Sequence, residues 1–123
     1  MTKVDPDIVH SAMAQLCRAS HANAVKKGFW AVECDGGPRV TPDIIGSKIA
    51  LMHSELSEAL ESARNSHAPD DKLPEMPGTL VEMADCVIRI CDLVGAMGWD
   101  LGRAITEKMA YNANRPYKHG KVM

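Results

Sequence analysis

Apolar residues recur at helical spacing along four segments of this chain, and each segment is bounded by residues that start or stop helices. The first two segments open with an N-cap residue followed by proline, in Asp5-Pro6 and Thr41-Pro42. Proline suits the first helical position because it has no backbone N–H to leave unpaired there. Glycine or proline follows each segment. The pattern predicts four helices at about residues 6–27, 42–64, 79–97 and 101–114.

The composition favours helices packed on helices. Apolar residues make up 46% of the 123-residue chain, but aromatic residues make up only 4%. A sheet would favour Val, Ile, Tyr and Phe. We predict an all-α four-helix bundle that forms a single domain over residues 1–123, with an extended basic tail at 115–123. Because so small a bundle leaves apolar helix faces uncovered, we expect a homo-oligomer, most simply a twofold dimer.

Several classes of protein are disfavoured. No apolar run approaches the ~20 residues that span a bilayer, and the N-terminus lacks the apolar region of a signal peptide. We therefore expect a cytoplasmic protein without a membrane partner. The four cysteines form no Cys-x-x-Cys pair, so buried thiols are expected rather than zinc or disulfides. No basic stripe interleaves with aromatic residues, which argues against nucleic acid as a partner.

Two acidic pairs lie beside the apolar stripes of the second and third predicted helices. Glu55 and Glu58 are three residues apart, and Glu82 and Asp85 repeat the spacing. On a helical wheel that starts at Ile45, Glu55 falls at about 280° and Glu58 at about 220°. Both therefore lie at the edge of the apolar stripe rather than opposite it. The two core stripes are predicted to be Ile45, Ile49, Met52, Leu56, Ala59 and Ala63, and Leu80, Ala84, Val87, Cys91 and Val94.

Four converging carboxylates would need a cation. At an effective dielectric constant of ~20, each like-charge pair about 5 Å apart costs about 3 kcal/mol. A divalent cation bound between the carboxylates would replace this repulsion with attraction. A site made only of carboxylate oxygens suits Mg²⁺, Mn²⁺ or Ca²⁺. The basic end of the chain could then meet a phosphate, since Lys108 and Asn112 share a helix face and Arg115 follows.

Plainer interpretations exist for each of these residues. A Glu-x-x-Glu pair on a helix is usually a solvated face, and Asp85 could pair with Arg89 one turn later. Lys48 lies two turns before Glu55 on the same face and is either a phosphate contact or an ion-pair partner. Asp92 is more typical of a structural group, and Trp30 of a core or interface residue.

The sequence resembles the all-α nucleoside triphosphate pyrophosphohydrolases, the MazG-like group that includes helical dUTPases and dCTPases and the phosphoribosyl-ATP pyrophosphohydrolases. The resemblance rests on SELSE at residues 54–58, EMAD at 82–85 and KMAYNANRPYKHGK at 108–121. The family pattern is Glu-Glu-x-x-Glu, a linker, and Glu-x-x-Asp. This chain departs from it at Ser54, where many members have the first glutamate.

The resemblance implies a reaction, a set of residues and an oligomer, either a homodimer or a homotetramer. A nucleoside triphosphate would be hydrolysed between its α and β phosphates, giving the monophosphate and pyrophosphate. The cofactor would be Mg²⁺, with Mn²⁺ as a substitute, and Glu55 and Glu58 would be the catalytic carboxylates. The residues that it implies for the metal are Glu55, Glu58, Glu82 and Asp85. The residues expected to bind substrate are Lys108, Asn112, Arg115 and Tyr117, together with Lys48 and, from the loop after the first helix, Trp30.

Two other functions compete with this one. A ferritin-like iron protein would carry Glu-x-x-His pairs, and the sequence contains none. A non-catalytic helical module that docks a partner on its acidic face remains the alternative, since Ser54 interrupts the catalytic pattern.

Overall fold

The fold is all-α. The computed structural model describes residues 3–31 and 39–122, and over these ranges it contains no β-strand. The four predicted helices are confirmed, with ends within a residue or two of the predicted ones. They are α1 (Pro6–Lys26), α2 (Pro42–Arg64), α3 (Gly78–Met97) and α4 (Leu101–Ala113).

The helix ends are capped as the sequence predicts. The Asp5 carboxylate accepts a hydrogen bond from the backbone N–H of Asp7 at 2.9 Å, and the Thr41 hydroxyl accepts one from Ile44 at 3.3 Å. The Asp100 carboxylate caps α4 through the N–H of Arg103 at 3.0 Å. Each cap satisfies a backbone donor that has no partner inside its helix.

Helix α3 organises the packing. It contacts both α1 and α2, and α4 packs against α1. Gly95 permits the close approach of α3 to α1, because a Cβ atom there would lie 2.6 Å from the carbonyl oxygen of Cys17. The buried apolar residues of α3 include Cys86, Cys91 and Leu93. The acidic residues at the start of α3 are thereby fixed beside α2.

The predicted core stripes are only partly buried, which corrects the sequence-based prediction. Leu56 and Val87 are each 49% exposed, and Ile49 and Leu80 are also exposed, whereas Ala59 and Cys91 are buried. Both helices carry apolar residues on more than one face, and a single chain leaves some of these residues uncovered on each helix. Exposed apolar faces such as those on α2 and α3 are typical of the subunits of an oligomer. Oligomerisation itself stays a prediction.

Other predictions meet mixed outcomes. The cysteines Cys17, Cys86 and Cys91 are buried free thiols, as expected; Cys34 lies outside the described residues. The prediction of an extended basic tail was wrong in part, because Tyr117–Gly120 forms a turn in which Lys118 and His119 have positive φ angles and the N–H of His119 donates to the carbonyl of Pro116. Among the described residues, no helix is both long and apolar enough to cross a membrane.

Candidate metal centre

Three carboxylates converge where α2 packs against the first half of α3. Glu55, Glu82 and Asp85 each offer an oxygen, and these oxygens all lie within 4.8 Å of one another. Glu55 is buried, Glu82 is partly buried and Asp85 is exposed. Residues 82 and 85 stand one turn apart on α3, so both project toward the same stretch of α2. We call these three residues the acidic cluster.

Glu58 stands next to the acidic cluster without joining it. Its side chain is exposed, one turn beyond Glu55 on α2. It lies close enough to Glu82 for its hydrogen bonding and its charge to raise the pKa of that residue. The structure therefore brings together three of the four predicted metal ligands and places the fourth at their edge.

Arg89 supplies a positive charge to the acidic cluster. Its Nε atom donates to Oε1 of Glu55 at 3.0 Å, across the contact between α3 and α2. The sequence suggested a different partner, since Asp85 is one turn before Arg89 on the same helix. The guanidinium bonds Glu55 instead, because that carboxylate is buried and needs a donor.

The crowding of carboxylates changes their pKa values. The pKa of Glu82 is raised to about 7, chiefly by the close approach of the Glu55 carboxylate, then by burial and by Glu58. Burial acts to raise the pKa of Glu55, but hydrogen bonds with Glu82 and Arg89 and the charge of Arg89 outweigh it, so that pKa lies below its ordinary value. The pKa of Asp85 is raised, mainly because the packed helices partly shield its carboxyl group from water, and then by the charge of Glu55.

These residues fit a hard divalent cation. Oε2 of Glu82 is buried and has no hydrogen-bond partner among the described residues. A buried oxygen without a donor is costly unless it is protonated or binds a cation. Oxygens bound to one Mg²⁺ at ~2.1 Å lie at most about 4.2 Å apart, so the cluster needs only a small side-chain adjustment to hold it. All of the donors are oxygen, which favours Mg²⁺ or Mn²⁺ over zinc or copper.

A cavity of about 890 Å³ opens beside the acidic cluster. Its walls come from the last turns of α2, the linker after α2 and the first turns of α3. Glu82 and Asp85 line it, and so does Glu58. The cluster is thus reached from a space large enough for a nucleotide-sized ligand.

The linker that walls this cavity is held by its own hydrogen bonds. The Asp70 carboxylate accepts from the N–H groups of Lys72 and Leu73, both at 2.9 Å. At its base, the N–H of Gly78 donates to the carbonyl of Ala68 at 2.7 Å. A Cβ atom on Gly78 would lie 2.9 Å from that carbonyl oxygen, so glycine is required where the linker enters α3.

The predicted substrate residues Lys48 and Trp30 lie in a different network. Trp30 is 5% exposed, and its indole N–H donates to both carboxylate oxygens of Asp92, at 2.9 and 3.1 Å. Nδ1 of His21 lies 2.9 Å from the same carboxylate. Lys48 donates to the carbonyl of Phe29 at 2.9 Å and stands 4.2 Å from the centre of the Trp30 ring. The network ties the end of α1 to α2 and α3.

The predicted substrate residues at the end of α4 and just after it form a third group. Lys108 lies 4.8 Å and Arg115 5.8 Å from the ring centre of Tyr111. Oδ1 of Asn112 is buried and has no hydrogen-bond partner among the described residues, whereas Tyr117 is largely exposed. Because α4 packs against α1 and the cavity walls come from α2, the linker and α3, the chain does not bring this group to the acidic cluster.

Sequence reasoning missed the contribution of the linker and the role of Arg89. The sequence placed Arg89 one turn after Asp85 on α3, but its partner in the structure is Glu55, 34 residues away, and no local pattern indicates that contact. The signal in the linker is Asp70 followed by closely spaced prolines, a pattern typical of a tight turn. Comparisons of this chain with protein-family models, with curated proteins and with solved structures found no match to any of them.

Proposed function

We propose that this protein is a Mg²⁺-dependent nucleoside triphosphate pyrophosphohydrolase of the all-α type, with Mn²⁺ as a substitute cation. It would cleave between the α and β phosphates and release the nucleoside monophosphate and pyrophosphate. The observation that carries the proposal is the convergence of Glu55, Glu82 and Asp85 beside a cavity of about 890 Å³. The reaction class comes from the resemblance of SELSE and EMAD, the motifs that contain these three residues, to the all-α pyrophosphohydrolases.

Each carboxylate has a distinct part in the proposed reaction. Glu55, Glu82 and Asp85 would hold the cation, which when bound neutralises phosphate charge and makes a water more acidic. Glu58 is the best candidate to accept the proton of the attacking water, because it lines the cavity but stands outside the cluster. Ser54 is not available for that task, since its hydroxyl donates to the carbonyl of Leu51 at 2.7 Å.

The polar and basic residues at the end of α4 and just after it would act from a second copy of the chain. Lys108, Asn112 and Arg115 do not line the cavity of their own chain. The exposed apolar faces of α2 and α3 support an assembly in which α4 of one subunit approaches the acidic cluster of another. A homodimer is the simplest such assembly, and a homotetramer also provides it.

A pyrophosphate-release assay tests the proposal. Ribo-, deoxyribo- and modified nucleoside triphosphates are each incubated with the protein in Mg²⁺ or in EDTA, and both products are identified. We expect Mg²⁺-dependent release from one or a few of them. Glu58→Ala and Asp85→Ala should abolish release and keep the helical CD spectrum, while Glu107→Ala on α4 should retain release. Full turnover by Asp85→Ala would contradict the assignment.

One observation favours the alternative, a non-catalytic module that binds a partner. Arg89 already neutralises part of the acidic cluster through its bond to Glu55, so a protein without metal would tolerate these carboxylates better than their number suggests. That function predicts no effect of Mg²⁺ and no pyrophosphate release across the whole panel.

A further inference from the structure

The cavity beside the acidic cluster also has cationic walls. Arg64, the last residue of α2, lines the cavity, and so does Lys72 in the linker after α2. Within the described ranges, neither cation lies within 4.0 Å of a carboxylate oxygen. Both are therefore available to a ligand in the same cavity as Glu82 and Asp85.

The turn that carries Lys72 is fixed before any ligand binds. Asp70 accepts hydrogen bonds from the N–H of Lys72 and of the next residue, and its own N–H donates to the carbonyl of Met76 at 3.0 Å. The hydroxyl of Thr79 joins the linker to α2, because it donates to the hydroxyl of Ser62 at 3.1 Å and lies 2.8 Å from Nδ1 of His67. A backbone held in this way lowers the entropy cost of a contact made by Lys72.

The balance of charge in the cavity restricts what can bind there. Six carboxylates line it and only two cations, a net of −4. This negative charge repels an anion that binds alone. A cation that binds alone leaves Arg64 and Lys72 without a group to bind. A polyphosphate together with a divalent cation would satisfy both sets of groups, since the carboxylates would hold the cation and Arg64 and Lys72 would donate to phosphate oxygens.

We propose that Lys72 and Arg64 form a subsite that binds the outer phosphates of the substrate, the part released as pyrophosphate; this rests on the proposed function. The first turn of α3 borders the same cavity and contains no acidic residue, so its backbone dipole adds to the attraction. The subsite lies within one chain. This subsite is distinct from the group at the end of α4 and just after it that includes Lys108 and Arg115.

Binding of inorganic pyrophosphate tests the subsite without a nucleotide. Isothermal titration calorimetry in Mg²⁺ compares the wild type with Lys72→Gln and Arg64→Gln. The matched control is Lys26→Gln, which removes the same charge from an exposed position on α1. We expect each cavity variant to weaken pyrophosphate binding by about tenfold, the loss of one charge-assisted hydrogen bond to an exposed group. The control should bind like the wild type, and EDTA should abolish binding by every protein.

Two further binding measurements distinguish a phosphate subsite from a general effect of charge on the protein. The affinity for Mg²⁺ without pyrophosphate should not fall in either cavity variant, and binding of a nucleoside monophosphate should also be retained. Asp70→Ala releases the turn without removing a cation, and we expect it to weaken pyrophosphate binding as Lys72→Gln does.

The failure of this inference and that of the proposed function can be told apart. Wild-type protein that does not bind Mg²⁺-pyrophosphate, or cavity variants that bind it as well as Lys26→Gln, would overturn the subsite. Absence of turnover on the nucleotide panel, with pyrophosphate binding that depends on Lys72 and Arg64, would instead uphold the subsite and overturn the reaction.

Discussion

Arg89 on α3 donates its Nε hydrogen to Oε1 of Glu55 on α2 at 3.0 Å, so the most buried carboxylate of the acidic cluster is neutralised from the neighbouring helix. The bond leaves the other two carboxylates without an equivalent partner, and Oε2 of Glu82 has none among the described residues. The pKa of Glu55 accordingly falls below its ordinary value, while those of Glu82 and Asp85 rise. One arginine thus offsets only part of the repulsion that a metal would relieve.

Arg89→Gln should destabilise the metal-free protein and make added metal more effective. Loss of the bond to Glu55 should lower the free energy of unfolding by about 1 kcal/mol, since the guanidinium is partly exposed. Urea unfolding in EDTA and in Mg²⁺ measures both effects. The control is Arg103→Gln, which breaks an exposed ion pair with Glu107 on α4. Equal stabilisation by Mg²⁺ in Arg89→Gln and in the wild type would count against repulsion in the cluster.

The response to metal should depend on the protonation of Glu82. Its pKa is raised to about 7 from an ordinary value of 4.5. The folded metal-free protein therefore keeps a proton that the unfolded chain has lost, and its stability declines as the pH rises between these two values. A divalent cation competes with that proton, so its affinity should rise with pH and level off above the pKa of Glu82.

Thermal unfolding measured with Mg²⁺ and with EDTA checks this pH dependence. We expect the increase in Tm on adding Mg²⁺ to be small at about pH 5.5 and large at about pH 8. Glu82→Gln removes the titrating group and should flatten the trend. An increase in Tm that is equally large at both pH values in the wild type would show that Glu82 does not lie at the metal.

Asp92 should be important for stability and not for metal binding. Its buried carboxylate accepts both bonds of the Trp30 indole and contacts His21 at 2.9 Å. Asp92→Ala leaves these partners buried without an acceptor, which should cost about 3 kcal/mol in unfolding free energy. Urea unfolding at fixed protein concentration measures the loss, with the exposed Glu107→Ala as control. Loss of Mn²⁺ binding in folded Asp92→Ala would contradict a purely structural role.

The exposed apolar faces should be covered by a second subunit. Val87 and Leu56 are each half exposed, as are Leu60 and Met83, and faces of this kind drive self-association. Light scattering after size exclusion should report a dimer or tetramer for the wild type. Val87→Glu should shift it toward the monomer, while Gln15→Glu, on the exposed side of α1, should not. A monomeric wild type would remove the expected route by which Lys108 reaches the cluster.

The sequence predicted the helices well because their signals are local. Asp5, Thr41 and Asp100 cap helices where their side chains reach the next turn, and Gly98 ends α3 with a φ of 67°. It predicted the acidic pairs for the same reason, since a spacing of three residues fixes their position on a helix.

Contacts between distant parts of the chain could not be predicted in this way. The partner of Arg89 is 34 residues away, and the choice between Glu55 and Asp85 depends on how deeply each is buried. Which apolar face of α3 becomes the core depends on how α1 and α2 pack, so Val87 was placed inside and is half exposed. The walls of the cavity depend on the linker, whose turn at Asp70 has no helical periodicity to reveal it.

Binding of Mn²⁺, followed by electron paramagnetic resonance, tests most directly whether Glu55, Glu82 and Asp85 form a metal centre. Free and bound Mn²⁺ are compared for the wild type, for Glu82→Gln and Asp85→Asn, and for Asp43→Asn, an exposed carboxylate at the other end of α2. We predict that the wild type and Asp43→Asn bind Mn²⁺ alike, and that each cluster variant loses at least about tenfold in affinity. Equal binding by all four proteins would contradict the assignment of the metal centre to this cluster.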